Sequence, residues 1–209
     1  MRKYFPKNTE ICDEVTAAAL GLQSNYSKFT EFLMVNAGSG CSINLVNGTS
    51  VERLDGTGLG GASFDGLARK ILGTNDIFPR VVEILSKVNR SESQEVHKLI
   101  KDIYGSGIYG MDENIIGSFL GKIKANTPND FVISGLQETI LSNLIRTVRR
   151  VQAIHNLQNL PVIYTGGFTK LPYTTTFLTW ADEILGKSKH GVMVNKEQFN
   201  GAIGCLSMI

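Results

Sequence analysis

Two glycine-rich turns lie close together in the first third of the chain, and they constrain its fold more than any other feature. Their sequences are NAGSGCS at residues 36–42 and DGTGLGG at residues 55–61. Between them, Asn47-Gly48 is the pair most typical of a tight β-hairpin, because both residues tolerate a positive φ. A short apolar run lies at residues 32–35, and two more strand-like runs lie at residues 42–46 and 50–54. The pattern therefore predicts three adjacent antiparallel strands.

Helical periodicity dominates the middle of the chain. Apolar residues at helical spacing predict helices over residues 64–72, 76–88, 95–104 and 131–157, with a polar connection at residues 89–93. An earlier helix over residues 14–20 is indicated by Asp13 or Thr9 as the capping residue and by Gly21 as the stop. The last third alternates strand, helix, strand and helix, at residues 161–165, 173–185, 192–194 and 199–206.

This order of elements resembles one lobe of the actin-like and sugar-kinase-like superfamily, whose core is ribonuclease H-like. Three antiparallel strands are followed by helices and then by a β-α-β-α segment. Because two strand–helix repeats alone fit many α/β folds, the assignment also depends on the glycine-rich turns. We expect residues 31–209 to form a carboxyl-terminal actin-like ATPase lobe. Residues 1–30 are then a helical remnant of the amino-terminal lobe, carrying the catalytic acid.

Composition excludes several classes of protein. With 42% hydrophobic and 19% charged residues, the chain is ordinary for a soluble globular protein, and its net charge of +2 does not indicate a nucleic-acid surface. No apolar run approaches the roughly 20 residues of a membrane helix or follows Met1 as in a signal peptide. Cys12, Cys41 and Cys205 lack metal-ligand or disulfide spacing. We expect a cytoplasmic protein that binds neither nucleic acid nor membrane.

The second glycine-rich turn joins a strand to a helix, as in many phosphate sites. Free amides and the helix dipole favour an anion there. The turn lacks the Gly-Lys-Ser/Thr ending of a P-loop and the acidic partner of a Rossmann fingerprint. The first turn suits an anion or a plain hairpin, and a third, YTGGF at residues 164–168, suits a flat ring or a simple connection. Two such turns so close together favour a shared anion pocket.

Six short segments along the chain form one ordered set of motifs. They are Glu14 seven residues before Gly21-Leu22, NAGSGCS at 36–42, RLDGTGLGG at 53–61, KDIYG at 101–105, TGGF at 165–168 and GAIG at 201–204. Together they resemble the successive motifs of the type II pantothenate kinases. The resemblance implies ATP-dependent phosphorylation of pantothenate to 4'-phosphopantothenate in coenzyme A biosynthesis. It also implies ATP and Mg²⁺ as cofactors, and a homodimer or a heterodimer with an intact kinase chain.

The resemblance implies roles for individual residues. Glu14 takes the place of the general base, and Arg53 that of the arginine that binds substrate and balances charge at the reacting centre. Ser39 and Ser42 match hydroxyls that contact pantothenate. The cofactor-binding positions are Gly38, Gly40, Gly56, Thr57, Gly60, Gly61, Gly166 and Gly167. Position alone favours a helix-dipole role for Glu14 over a role as general base, and the resemblance to the family reverses that preference. For Arg53, position alone also allows a solvated ion pair with Glu52.

Other residues receive weaker assignments. Tyr104 and Tyr109 are candidates for the pantothenate pocket or a dimer seam, but core packing is the favoured interpretation for both. His97, His155 and His190 have no carboxylate or cysteine partner at a useful spacing and are interpreted as non-catalytic. No metal ligand is assigned within the chain.

The amino terminus departs from the family pattern. Nothing between Met1 and Asp13 resembles the Asp-x-Gly-Gly-Thr loop with which family members begin. That loop supplies phosphate donors and the acidic side chain that orients magnesium. We therefore expect weak or absent turnover from this chain alone, whether it is a fragment, a subunit completed by a partner, or a paralogue that binds without transferring phosphate.

Three functions follow from these observations. The first is pantothenate kinase. The second is a non-catalytic regulatory or dimerisation subunit that pairs with an intact kinase through the apolar stripe of residues 131–157. The third is a sugar kinase or activase-type ATPase of the same superfamily. Glu14, Ser39, Ser42 and Arg53 together match pantothenate kinases better than they match the Asp base of sugar kinases.

Overall fold

The computed structural model describes residues 13–88, 90–184 and 192–194. The strands are β1 Glu31–Ala37, β2 Cys41–Asn47, β3 Ser50–Thr57, β4 Lys98–Leu99, β5 Ile116–Ser118, β6 Val162–Thr165 and β7 Val192–Val194. The helices are α1 Glu14–Asn25, α2 Gly61–Leu72, α3 Phe78–Lys87, α4 Arg90–Gln94, α5 Ile100–Tyr104, α6 Asn129–His155 and α7 Thr174–Ile184. The predicted helix at residues 199–206, the GAIG motif, Cys12, Cys205 and His190 lie outside the described residues.

One mixed sheet organises the molecule, in the strand order β3-β2-β1-β6-β7. Strands β1, β2 and β3 form an antiparallel meander, whereas β6 and β7 run parallel to β1. The Asn47-Gly48 hairpin forms as predicted, with Gly48 at φ 55. This sheet and the helices after it confirm the predicted α/β, actin-like fold class.

The sheet carries a hydrophobic core on each face. Alternation along β1 sends Leu33 and Val35 into the larger core with α2, α3, α6 and α7, and sends Phe32 and Met34 into a smaller core with α1. Because β1 is buried on both faces, its sequence is a continuous apolar run rather than an alternating one. Helix α1 therefore packs directly on the sheet through Leu22.

The first helix is longer than the sequence indicated. Asp13 caps it as predicted, accepting a 2.9 Å hydrogen bond from the Thr16 amide. Gly21 does not end the helix, which continues to Asn25 and ends at Tyr26. The extra turn places Leu22 in the core with no exposed surface, and this burial outweighs the low helix propensity of glycine.

The predictions for residues 90–104 were largely wrong. Residues 90–94 form the short helix α4, and the helix expected over residues 95–104 is confined to α5. Before α5, Lys98–Leu99 pairs with β5, a strand that the sequence did not reveal. The Asp102 carboxylate accepts a 2.7 Å hydrogen bond from the Leu99 amide, which fixes the late start of α5. Tertiary pairing overrides the helical periodicity here.

Helix α6 is the longest element and forms the centre of the larger core. Its apolar stripe is buried at Ile133, Leu136, Ile140, Leu141, Leu144, Ile145, Val148 and Val151. Asn156 at φ 57 ends the helix in the left-handed conformation that asparagine tolerates. Only Ile154 of the predicted stripe is exposed, at 66%. The stripe is therefore occupied within this chain and offers little surface to a second one.

Candidate active site

Three glycine-rich turns meet at the carboxyl ends of β1 and β6. In the parallel pairing of these strands, Asn36 lies beside Thr165, so the turn after β6 begins next to the turn after β1. Gly166 has φ 103, and a Cβ there would lie 2.5 Å from the Ala37 carbonyl oxygen. The carboxyl edge of such a sheet is where α/β proteins bind ligands.

The first two turns are hydrogen-bonded to each other. The Gly61 amide donates to the Gly38 carbonyl over 2.7 Å, and the Ala62 amide donates to the Ser39 carbonyl over 3.0 Å. A Cβ on Gly60 would lie 2.7 Å from the Ser39 carbonyl oxygen, so the approach requires glycine. The amides of Gly61 and Ala62 are therefore engaged, which removes two of the donors that the sequence offered to phosphate at the start of α2.

A cavity of about 350 Å³ opens beside these turns. It is lined by Asn36, Gly40, Cys41, Ser42, Arg53, Gly56, Thr57 and Gly58. The Cys41 thiol donates to the Leu59 carbonyl over 3.3 Å, and burial raises its pKa from 9.0 to about 11. Cys41 is therefore a protonated packing residue rather than a nucleophile.

A second cavity of about 240 Å³ lies between the start of α1 and the strands β2 and β3. It is lined by Asp13, Val15, Thr16, Ser42, Asn44, Val51 and Arg53. Ser42 and Arg53 belong to both cavities, so the two form one region around these side chains. Hydrogen bonds from Thr16 hold the pKa of the Asp13 carboxyl below its usual value, so a fixed negative charge borders the second cavity.

A β-bulge in β3 directs Arg53 toward this region. Ser42 pairs with Gly56 and Ile43 with Asp55, but Asn44 pairs with Arg53, so Leu54 is the extra residue. Without the bulge, Leu54 would oppose Asn44, and Arg53 would lie on the other face of the sheet with Leu45. The bulge instead places Leu54 beside the larger core and Arg53 on the face that carries Ser42 and Asn44.

Comparison with known proteins places this arrangement in a family. The model of the Fumble family matches residues 13–208, nearly the whole chain. The chain belongs to the Fumble family.

Curated relatives of this Fumble-family chain carry two kinds of name. It is 28% identical over 189 residues to a 4'-phosphopantetheine phosphatase of Mus musculus, with 87% of this chain and 22% of that protein aligned. It is 27% identical to pantothenate kinase 1 of Arabidopsis thaliana over 89% of this chain and 50% of that protein. Pantothenate kinase 2 of the same plant is 30% identical over 83% of this chain and 20% of that protein. The chain thus spans half or less of the length of these relatives.

Solved structures similar to the Fumble-family chain agree on its fold. A xylulose kinase from Brucella ovis aligns with a TM-score of 0.57 at 14% identity, covering 91% of this chain and 41% of that one. Component A of the (R)-2-hydroxyglutaryl-CoA dehydratase of Acidaminococcus fermentans aligns with a TM-score of 0.54 at 16% identity, covering 92% and 66%. At such identities the likeness shows the fold alone.

The structure brings together some of the residues that the sequence singled out. Ser42, Arg53, Gly40, Gly56 and Thr57 all line the first cavity. The other predicted positions line neither cavity. Ser39 and Glu14 are exposed, and Gly38, Gly60 and Gly61 pack the first and second turns together. Gly166 packs on the first turn, and Gly167 begins a 3₁₀ helix.

Glu14 lies at the first residue of α1, between Asp13 and Val15, which line the second cavity. Its side chain is exposed and does not belong to that lining. Its predicted role as a general base therefore stays a prediction.

Asn44 is a site residue that sequence reasoning missed. It is 1% exposed, it lines the second cavity, and its Oδ1 has no hydrogen-bond partner among the described residues. A buried polar atom left in this state costs about 1–3 kcal/mol. The sequence pattern that could have identified Asn44 is its position two residues after Ser42 on one strand, which places both side chains on the same face of the sheet.

The favoured interpretation of Tyr104 and Tyr109, packing in the core, is wrong. Tyr104 is 57% exposed and Tyr109 is 92% exposed, so neither packs in the core. In the segment that follows α5, Gly105 and Tyr109 have positive φ values of 80 and 51.

His97 is fully buried, and its Nδ1 accepts a 3.0 Å hydrogen bond from the Leu120 amide. Burial, with a smaller contribution from Lys122, lowers its pKa to about 4, which suits a structural histidine.

The described residues contain neither a metal-binding cluster nor a membrane-spanning helix. Within residues 13–88, 90–184 and 192–194, no group of three or more His, Cys, Asp or Glu side chains lies close enough to hold a metal ion. The described residues thus provide no ready-made Mg²⁺ site. Among the helices of the same residues, none is long and apolar enough to cross a membrane.

Proposed function

We propose that this chain phosphorylates the primary hydroxyl of pantothenate with ATP, giving 4'-phosphopantothenate. The observation that carries the proposal is the convergence of Ser42 and Arg53 on one region beside the glycine-rich turns. Two relatives are named pantothenate kinases, and the third is named for 4'-phosphopantetheine, whose structure contains the same pantoyl amide. Because the chain spans half or less of the length of these relatives, the proposal covers the chain both alone and together with an intact relative.

The cavity residues have complementary tasks in this proposal. Arg53 offers a planar fork of donors that can bind two oxygens of a carboxylate or a phosphate. Ser42 orients the substrate by a neutral hydrogen bond. The backbone of Gly40, Gly56 and Thr57 allows a phosphate chain to approach without obstruction by bulky side chains.

Proton removal is assigned to Glu14 in the proposal. An exposed carboxylate at the amino end of α1 can accept the hydroxyl proton as the oxygen attacks phosphorus. Glu14 must turn toward the second cavity to do so, since Asp13 and Val15 line the cavity on either side of it. Substrate binding supplies the interactions that favour this orientation.

An ATP-consumption assay with pantothenate tests the proposal. The chain is measured alone and mixed with an intact Fumble-family kinase whose own activity has been abolished. We expect pantothenate-dependent turnover, reduced about 100-fold in kcat/KM by Arg53→Ala or Glu14→Gln. Glu52→Gln is the matched control, because Glu52 is exposed on β3 and lines neither cavity. Absence of turnover in both preparations would overturn the assignment.

The accessory-subunit alternative now lacks its proposed surface, because the apolar stripe of α6 is buried within this chain. Dimer formation stays a prediction that native mass spectrometry can check. If an interface exists, it must use side chains other than that stripe.

A further inference from the structure

Asn44 lines the second cavity, and its side-chain amide group makes two hydrogen bonds within the protein. Its Nδ2 donates to the Met34 carbonyl over 3.4 Å and to the Ser42 hydroxyl oxygen over 3.0 Å. The Met34 carbonyl can only accept, so the amide nitrogen must face it and the orientation of the carboxamide is fixed. Both amide protons are thus used within the protein.

The two neighbours acquire opposite hydrogen-bonding roles as a result. Ser42 accepts from Asn44, so its own proton is free to be donated to a ligand. The Asn44 Oδ1 is an acceptor with no partner among the described residues, buried in the lining of the same cavity. A donor and an acceptor without a partner therefore lie next to each other in two residues that line the cavity.

We infer that Asn44 and Ser42 select the hydroxyl- or amide-bearing part of the substrate and that Asn44 determines this specificity. A hydroxyl satisfies both atoms by itself, whereas the N–H or the carbonyl of a trans amide satisfies one of them and a neighbouring group of the ligand satisfies the other. A carboxylate has no donor for Oδ1, so that end of the ligand is directed to Arg53 instead. The identity of the ligand rests on the proposed function, but the paired recognition does not.

Analogues of pantothenate with blocked donors test the inference by calorimetry on the full chain. Wild-type protein should bind pantothenate about 10–100-fold more tightly than at least one analogue methylated on the amide nitrogen or on a hydroxyl. The Asn44→Leu variant should bind pantothenate more weakly than wild type does, and it should bind pantothenate and that analogue with equal affinity. Asn47→Leu, an exposed asparagine on the same strand that bonds to Glu31, should discriminate like wild type. Retained discrimination in Asn44→Leu, or none in wild type, overturns the inference.

A second measurement separates this inference from the proposed function and does not need the leucine variant to fold. The side-chain amide NMR signals of Asn44 are followed while N-methylacetamide, propane-1,3-diol or N,N-dimethylacetamide is added. If pantothenate does not bind at all, the proposed function fails. Signal shifts with the first two compounds and not with the third still support the inference, and no shift with any of them overturns it.

Discussion

At the scale of single residues, the site depends on positions where any side chain would collide with a neighbouring strand. A Cβ on Gly56 would lie 2.5 Å from the Cys41 carbonyl oxygen and 2.8 Å from the Arg53 guanidinium. The missing side chain thus leaves room both for close pairing with β2 and for the arginine to lie across the strand. Gly58, two residues on, has open space around it.

This contrast gives a matched pair of variants. Gly56→Ala should lower the free energy of unfolding by about 1–3 kcal/mol, because the backbone of β2 must move to admit the methyl group. Gly58→Ala has no such contact and a permitted φ, so it should change stability by less than about 0.5 kcal/mol. Urea unfolding followed by circular dichroism measures both. Equal losses in the two variants would contradict the steric explanation.

Ser42 and Arg53 could be predicted as partners only through the resemblance of their motifs. Simple alternation along β3 would have placed Arg53 on the face opposite Asn44, and the bulge at Leu54 reverses this. The position of a bulge depends on how two strands pair, and it has only a weak signal in the sequence. Asn44 was missed for a different reason: its significance arises from burial under α1, which strand periodicity does not report.

At the scale of elements, α6 shows where the stability of the fold resides. Leu144 is 1% exposed at the centre of the larger core, whereas Ile154 is 66% exposed near the end of the same helix. Leu144→Ala should destabilise the protein by about 2–5 kcal/mol, since it removes apolar burial and leaves a cavity. Ile154→Ala should cost less than about 1 kcal/mol, because little buried area is lost.

Thermal and urea unfolding of the two variants check this difference. Comparable destabilisation by both would indicate that Ile154 is covered by another molecule in solution, which would point to an interface at the carboxyl end of α6. Both alanine variants keep helix propensity high, so the comparison isolates packing.

The long helix α6 and the short strands β6 and β7 were predicted within two residues, whereas the β4–β5 pair was not predicted. The periodicity of residues 131–157 gave α6 within two residues at each end, because a long stripe averages over local exceptions. The β4–β5 pair has only two and three residues and is held by contacts between segments far apart in sequence. No local pattern can report such pairing, so the region around residues 95–104 was interpreted from periodicity alone.

At the scale of the whole molecule, the second cavity and the larger core lie on opposite faces of one sheet. The second cavity is on the α1 side, with Asn44 and Val51, whereas α6 and α7 cover the other side. Strand β1 contributes to both cores, so neither face can lose its packing without affecting the other. We therefore expect the described part of the chain to unfold as one cooperative unit.

Ligand binding can test this connection, because the sequence contains a single tryptophan. Trp180 lies on α7, packed against the larger core and far in sequence from the cavity residues. Pantothenate at 100 times its dissociation constant should stabilise the folded state by about 2.7 kcal/mol, which raises the unfolding temperature by roughly 5–10 °C. Tryptophan fluorescence and far-ultraviolet circular dichroism should report the same increase.

Arg53→Ala should abolish most of that increase, whereas Arg69→Ala should retain it, since Arg69 forms an exposed pair with Asp65 on α2 away from both cavities. A shift seen by circular dichroism but not by Trp180 fluorescence would mean that the α1 face melts independently. The shared burial of β1 would then be too weak to couple the two cores, and the site would belong to a separately stable part of the fold.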